Sequence, residues 1–189
     1  MTRKVIALTG GIGSGKSEAA SVLRGFGFKT VDCDKLSRTV AEDPEVIKQV
    51  RKLLGRKCVA DGKLDRKAVR EKVFADAALL DAYNALFFEK IKTLLAEKLE
   101  KTEGTVFVEI PVISAFPFDW DEIWLIESDE QTRIKRVRNR DNVTEQNVKQ
   151  IMSRQTCKID PTHTIINCGT RDYLKAQLEL ALKQSKLTD

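Results

Sequence analysis

Eight residues near the start, Gly10-Gly11-Ile12-Gly13-Ser14-Gly15-Lys16-Ser17, constrain this chain more than any other stretch. They fit the pattern G-x-x-x-x-G-K-[ST]. The apolar run Val5-Ile6-Ala7-Leu8-Thr9 comes directly before, and the helix-like run Glu18-Ala19-Ala20-Ser21-Val22-Leu23 directly after. An accidental glycine-rich turn has no need of that strand–loop–helix setting, which a phosphate-binding loop requires. Gly11, Gly13 and Gly15 let the backbone turn with N–H groups pointing inward, and the following helix N-terminus adds positive potential. Lys16 supplies a point charge for the β- and γ-phosphates, and the Ser17 hydroxyl is a ligand suited to Mg²⁺. The expected ligand is a nucleoside triphosphate.

The next pattern tells where the phosphate faces. Phe28 to Val31 reads as a second short strand, ending in Asp32-Cys33-Asp34. Strand, helix and strand in this order imply a parallel pair, and the carboxyl ends of parallel strands face the ligand crevice. Asp32 and Asp34 are therefore expected beside the loop. Alternation points both the same way if the strand continues through Cys33, so spacing alone does not separate their roles. Turn formation or capping of the next helix is the alternative for either one.

Residues 35–103 are helical by pattern, with no further strand of comparable strength. Pro44 opens a helix to Leu54, Asp61-Gly62 marks a turn, and Asp65 caps a helix through Phe74. A long helix follows from Ala77 to Lys101, with Leu80, Phe87, Ile91, Leu94 and Leu95 along one face. This stretch reads as a helical lobe inserted in the core. A third strand, 105–110, carries Glu109 near its C-terminal end, an acid placed to meet Mg²⁺ or its waters. Trp120 to Ile126 is a fourth strand. Ser128-Asp129-Glu130-Gln131 reads as a capping box opening a helix that carries Arg133, Lys135, Arg136, Arg138 and Arg140. Arg133, Arg136 and Arg140 share a face at i, i+3 and i+7; a solvated cationic face and a phosphate clamp both fit that spacing. Thr144 caps a further helix. His163 to Ile166 is a fifth strand, and Thr170 caps a last helix.

The expected fold class is α/β: a five-stranded parallel sheet forming a P-loop NTPase core over 1–34, 104–130 and 160–189. The helical substrate lobe covers 35–103 and a helical lid 131–159. At 189 residues the chain buries enough surface to need no staples. Cys33, Cys58, Cys157 and Cys168 lack metal-site spacing, and with His163 the lone histidine a zinc site is not expected. No stretch approaches a membrane span, so a cytoplasmic protein is expected. The net charge of +5 is a modest surface excess, and the basic row has no interleaved aromatics, so nucleic acid is not an expected partner.

Three reaction classes share such a loop. A GTPase needs N-K-x-D, which is absent, and a motor needs a longer core. A small-molecule kinase needs an acceptor lobe, an acid for the hydroxyl proton and cations for the transition-state charge. The lobe, the Asp32/Asp34 pair and the 133–140 arginines supply them.

The chain resembles the dephospho-CoA kinase family along nearly its whole length. Residues Ala7 to Ser17 are similar to that family's opening motif, and Asp32-Cys33-Asp34 with Arg38 to its D-A-D-x-x-x-R. Asp61-Gly62-Lys63-Leu64-Asp65-Arg66 with Val73-Phe74, Glu109-Ile110-Pro111, the run Arg133 to Asp141, and Asn167-Cys168-Gly169 match further family segments. The resemblance implies ATP-dependent phosphorylation of the ribose 3′-hydroxyl of dephospho-CoA, with Mg²⁺; a monomer or weak homo-oligomer is expected. It implies that Asp34 is the general base and that Lys16 holds the phosphates. Arg136 and Arg140 would close over them, with Asn167 near adenine. The nucleotide set is then Gly11, Gly13, Ser14, Gly15, Lys16, Ser17, Glu18, Arg136, Arg140 and Asn167. Ser17 and Glu109 form the metal set. Catalysis falls to Asp34, Lys16 and Arg140. Departures from the family pattern stand at Glu18, where Thr is frequent, at Phe88-Glu89, at Ala115 and at Thr162-His163. Two rival readings are a P-loop kinase for another hydroxylated acceptor and a nucleotide-sensing binding protein without turnover.

Overall fold

The computed structural model describes residues 3–111, 113, 116, 118–153, 155 and 159–188. Ala115 and Cys157 lie outside the described residues. The chain divides into two compact units, one of Met1–Asp32 with Thr102–Asp189 and one of Cys33–Lys101.

The first unit is built on a five-stranded sheet. Its strands are β1 (Val5–Thr9), β2 (Lys29–Asp32), β5 (Val106–Glu109), β6 (Glu122–Glu127) and β7 (His163–Ile166), in the order β2-β5-β1-β6-β7. Every pairing is parallel. β1 is central, and Ile6, Ala7 and Leu8 are fully buried, as an apolar run between two neighbours must be. Ile6 and Leu8 share one apolar core with helices α1 (Lys16–Gly25) and α8 (Arg171–Gln184). That core joins Ile6, Leu8, Leu23, Phe107, Trp124, Leu174 and Leu178. Each such side chain contributes roughly 1.5–3 kcal/mol on burial. α1 stops because Gly27 takes φ +91° and lets the Phe28 N–H turn back to the Leu23 carbonyl. Phe28 then packs edge-on against Phe107, with centroids 5.4 Å apart.

At the amino end of the sheet a buried polar cluster ties both chain ends together. Lys4 Nζ donates to Glu122 Oε1 at 2.6 Å, Trp124 Nε1 donates to Oε2 at 2.8 Å, and the Ser185 hydroxyl donates to Oε2 as well. His163 Nε2 lies 2.8 Å from that hydroxyl, a structural place for the lone histidine. Burial by itself would raise the Glu122 pKa; the Lys4, Ser185 and Trp124 hydrogen bonds more than offset this and hold it below the usual range.

Two helices, α6 (Glu130–Asp141) and α7 (Glu145–Ser153), complete the unit. The expected capping box at Ser128 is not formed. Asp129 is the N-cap, accepting from the Thr132 amide at 2.8 Å, and its pKa falls to about 2 as a result. The Ser128 hydroxyl donates instead to the Asn167 carbonyl at 2.5 Å and lies 3.2 Å from the Ser14 carbonyl of the loop. Asp129 stands one residue closer to the helix, where its carboxylate reaches N3 and suits the dipole.

The second unit is helical: α2 (Cys33–Glu42), α3 (Pro44–Leu54), α4 (Arg66–Phe74) and α5 (Ala77–Glu100). Pro44 does sit at a helix start, behind an Asp43 N-cap, and Asp65 does cap the next helix. Asp76 caps α5, which buries Phe87, Ile91, Leu95 and Leu99. Leu94 and Leu80 are half-buried, on the margin of that stripe. The Asp61-Gly62 turn carries a small hairpin missed by pattern, β3 (Val59–Ala60) with β4 (Lys63–Leu64). Two-residue strands leave no periodicity to read; the signal was the turn itself, with φ +48° at Asp61 and +73° at Gly62. The unit begins at Cys33 rather than residue 35, because α2 starts as soon as β2 ends. Strand alternation therefore does not extend to Asp34, which belongs to the first turn of α2.

Candidate functional site

The loop Gly10–Gly15 leaves the carboxyl end of β1, and α1 begins at Lys16. Gly13 and Gly15 have φ +76° and +94°, where a β-carbon would strike the Arg133 carbonyl and the Asn167 side chain. The loop is thus closed from outside by its neighbours. Among the described residues, the amides of Gly13 and Gly15 donate to no protein group. Among the described residues the Ser14 hydroxyl is buried with no hydrogen-bond partner. Unspent donors on a half-buried loop before a helix suit an anion. Lys16 Nζ lies on the loop itself, 2.7 Å from the Gly10 carbonyl and 3.3 Å from that of Gly11.

Two carboxylates stand at the same sheet end. Register pairs Leu8 of β1 with Glu109 of β5, and Glu109 with Asp32 of β2. Glu109 is only 7% exposed. Burial pushes its pKa up and the Asp32 charge adds to this; a hydrogen bond with Ser17 and the Arg24 and Lys16 charges act the other way. Arg24 Nη1 approaches Glu109 Oε1 at 3.7 Å. Sequence placed Glu109 and Ser17 together, and here they meet. The Asp32 partnership was not legible, because strand order puts β5 between β1 and β2. Oxygen donors from one hydroxyl and two carboxylates, with the carboxylates crowded against each other, are the chemistry a hard dication relieves. Ser17, Glu109 and Asp32 therefore fit Mg²⁺.

The α6 arginines part company. Arg133 Nε donates to the Ile12 carbonyl at 2.9 Å. Arg136 donates to the Ser128 hydroxyl at 2.9 Å and the Asn167 carbonyl at 3.0 Å, and reaches the Ser14 carbonyl at 3.3 Å. Asn167 is buried and gives its side-chain N–H to the Ser14 carbonyl at 2.9 Å. Arg140 is exposed and lies along its neighbour Asp141, with both hydrogen bonds at 2.7 Å, which holds the Asp141 carboxyl below its usual range. Lys135 and Arg138 face a separate recess of about 370 Å³ beside Asn142 and Glu145. Glu18 points outward and pairs with Arg171 Nε at 3.1 Å, so the acid in the first turn of α1 has a countercharge at the start of α8. Arg171 carried no motif that would have marked it.

Within the helical unit, Asp34 lines a cavity of about 510 Å³ with Arg38, Arg66, Arg70, Tyr83 and Phe87. Arg66 and Arg70 stand one turn apart on α4, and Tyr83 stacks near Phe87 with centroids 4.7 Å apart. Burial raises the Tyr83 pKa. An exposed carboxylate, three guanidinium groups and an aromatic wall suit a ligand that is anionic at one part and apolar at another.

Known proteins resemble this chain in both sequence and fold. The family model for dephospho-CoA kinase matches residues 4–163. A Staphylococcus aureus dephospho-CoA kinase is 31% identical, over 96% of this chain and 93% of the relative. One from Thermus thermophilus is 30% identical, over 95% and 91%. A crystal structure from Thermus thermophilus superposes with TM-score 0.87 at 28% identity, covering 100% of both chains. The sheet and its flanking helices also match Campylobacter jejuni dephospho-CoA kinase, with TM-score 0.58, 20% identity and coverage of 96% and 97%.

Proposed function

The chain belongs to the dephospho-CoA kinase family, and on that premise we propose that it transfers the γ-phosphoryl group of ATP to the ribose 3′-hydroxyl of dephospho-CoA, giving CoA and ADP, the last step of coenzyme A synthesis. The observation that carries this reading is one sheet end holding unspent loop amides, Lys16, Ser17 and the Asp32–Glu109 pair.

The loop amides and Lys16 bind the β- and γ-phosphates and gather the charge that grows on the bridging oxygen. Ser17, Glu109 and Asp32 would hold Mg²⁺, which would supply neutralisation of phosphate charge when bound. Asp34 takes the proton of the 3′-hydroxyl as the O3′–Pγ bond forms and the bond from Pγ to the β-phosphate oxygen breaks. Arg38, Arg66 and Arg70 face the anionic part of the acceptor, and Tyr83 with Phe87 the apolar part. Arg140, on the exposed rim of α6, closes over the phosphates and helps exclude water. Glu18 stays tolerable beside phosphate because Arg171 offsets its charge. The enzyme is read as a cytoplasmic monomer or weak homo-oligomer without nucleic-acid partners. Among the described residues no helix is long and apolar enough to cross a membrane.

A coupled assay of ADP release with dephospho-CoA, a nucleoside and a sugar as acceptors tests the reading. Turnover is expected with dephospho-CoA. Turnover confined to another acceptor overturns the substrate, and ATP binding without turnover on any acceptor overturns the enzyme.

Glu109 gives a separate test with a readout in stability. A raised carboxyl pKa means that folding favours the protonated form, so ionisation costs stability as pH rises above the ordinary carboxylate range. Glu109→Gln is expected to raise the melting temperature of the ligand-free protein at neutral pH by roughly 2–4 °C, the effect of about 1 kcal/mol in a chain of this size. The gain should vanish at a pH where Glu109 is protonated. The same variant should lose Mg²⁺-dependent turnover. Equal melting temperatures across pH would show that the carboxylate pair carries no cost.

A further inference from the structure

We infer that Arg133, Arg136, Ser128 and Asn167 form an outer donor cage that orients the phosphate loop, and that Arg136 acts as a positioning residue rather than as a clamp on phosphate. The inference rests on the nucleotide-binding reading of the loop.

The argument starts from the planar peptide. In a trans peptide unit the carbonyl and the following N–H point in opposite directions. The described residues contain no cis peptide. Whatever holds a carbonyl outward therefore turns the next amide inward. The Ser14 carbonyl is held by Asn167 Nδ2 at 2.9 Å, with Arg136 Nη1 at 3.3 Å and, at 3.2 Å, the Ser128 hydroxyl, whose one proton is shared with the nearer Asn167 carbonyl at 2.5 Å. Its trans partner is the Gly15 amide, which donates to no described group. The Ile12 carbonyl is held by Arg133 Nε at 2.9 Å, and its trans partner, the Gly13 amide, is likewise unspent.

The peptide between Gly11 and Ile12 runs the other way. Its N–H donates outward to Gln155 Oε1 at 2.7 Å, and its carbonyl accepts from Ser14 N at 3.2 Å and Lys16 Nζ at 3.3 Å inside the loop. External partners thus set three of the loop's peptide planes. A glycine-rich segment needs this, because glycine has no steric preference to hold a plane by itself. Ile12 adds an apolar key, packed against Ile134, Val137 and Val148 of α6 and α7.

Arg136 is the centre of the cage. Its two shortest bonds are not to the loop but to the Ser128 hydroxyl and the Asn167 carbonyl, on the two residues whose side chains reach the Ser14 carbonyl. The planar fork can join them at once; a lysine ammonium at the end of a flexible stem cannot.

The test compares Arg136→Lys, Arg136→Met and Ser128→Ala, read by calorimetric binding of ATP and ADP and by the Gly15 amide resonance of the nucleotide-free protein. A positioning role predicts that Lys fails as Met does, with affinity for ATP and ADP falling together by about tenfold or more. The Gly15 resonance should move in all three variants before any nucleotide is added, and KM for ATP should rise more than kcat falls. Arg136→Lys with wild-type affinity beside a weakened Met variant would overturn the proposal in favour of a direct phosphate contact. So would an unmoved Gly15 resonance in Ser128→Ala, a variant mild enough to stay folded if the arginine variants do not. Failure of the wild type to bind ATP or ADP would sink the nucleotide reading, and the Gly15 resonance would still judge the cage.

Discussion

Lys16→Ala is expected to leave a folded protein with turnover reduced by about a hundredfold to a thousandfold. A preorganised donor aimed at developing charge is worth roughly 3–4 kcal/mol, and each 1.36 kcal/mol is a factor of ten. Lys16 meets the conditions for that magnitude. It is half-buried at the base of the loop, and its Nζ is held within 3.3 Å of two loop carbonyls, so little ordering remains for the moment of reaction. The sheet core does not depend on it. Ile6, Leu8, Phe107 and Trp124 pack without it, so the melting temperature should move little. The measurement is ADP release with dephospho-CoA, alongside a thermal melt. A retained rate would refute the phosphate role, while a collapsed melt would show that the ammonium holds the empty loop together.

Asp34→Asn should separate chemistry from binding. A positioned general base contributes about 10²–10⁴ in rate, so kcat should fall within that range while ATP affinity stays near the wild-type value. The amide keeps the shape and can still hydrogen-bond, but cannot take a proton. Asp34 is exposed in the first turn of α2 and lines the arginine-rich cavity of the helical unit. Asp32 supplies the contrast. It is paired in register with buried Glu109, where a second carboxylate serves a cation better than a proton. Asp32→Asn should therefore act through metal dependence, raising the Mg²⁺ concentration needed for half-maximal rate. If Asp32→Asn rather than Asp34→Asn abolishes kcat at saturating Mg²⁺, the two roles are exchanged.

That contrast marks a place where spacing ran out. Read as one strand, residues 32 and 34 share a face and are equivalent. Helix α2 starts at Cys33 and breaks the equivalence: one acid closes a strand, the other opens a helix. The same limit appears at Ser128. By pattern it caps a helix; in the fold its hydroxyl serves the loop from 114 residues away in sequence, and Asp129 takes the cap. The arginine row was legible as a row. What each member touches was not, because Arg133 and Arg136 meet backbone carbonyls, which leave no trace in side-chain pattern. Arg171 escaped for the same kind of reason, since only tertiary packing brings α8 to Glu18.

Much of this protein was determined locally. The strand–loop–helix around Gly10–Ser17, the caps at Asp43, Asp65 and Thr170, and the long α5 helix all follow from residues within a few positions of one another, where φ preference, capping and apolar period act. The tertiary structure alone decided strand order, and with it the meeting of Glu109 with Asp32. It also decided which donors surround the loop. Carbonyl direction in a glycine-rich turn is set by whatever packs outside it, and in this chain those groups come from residues 128, 133, 136, 155 and 167, more than a hundred positions away.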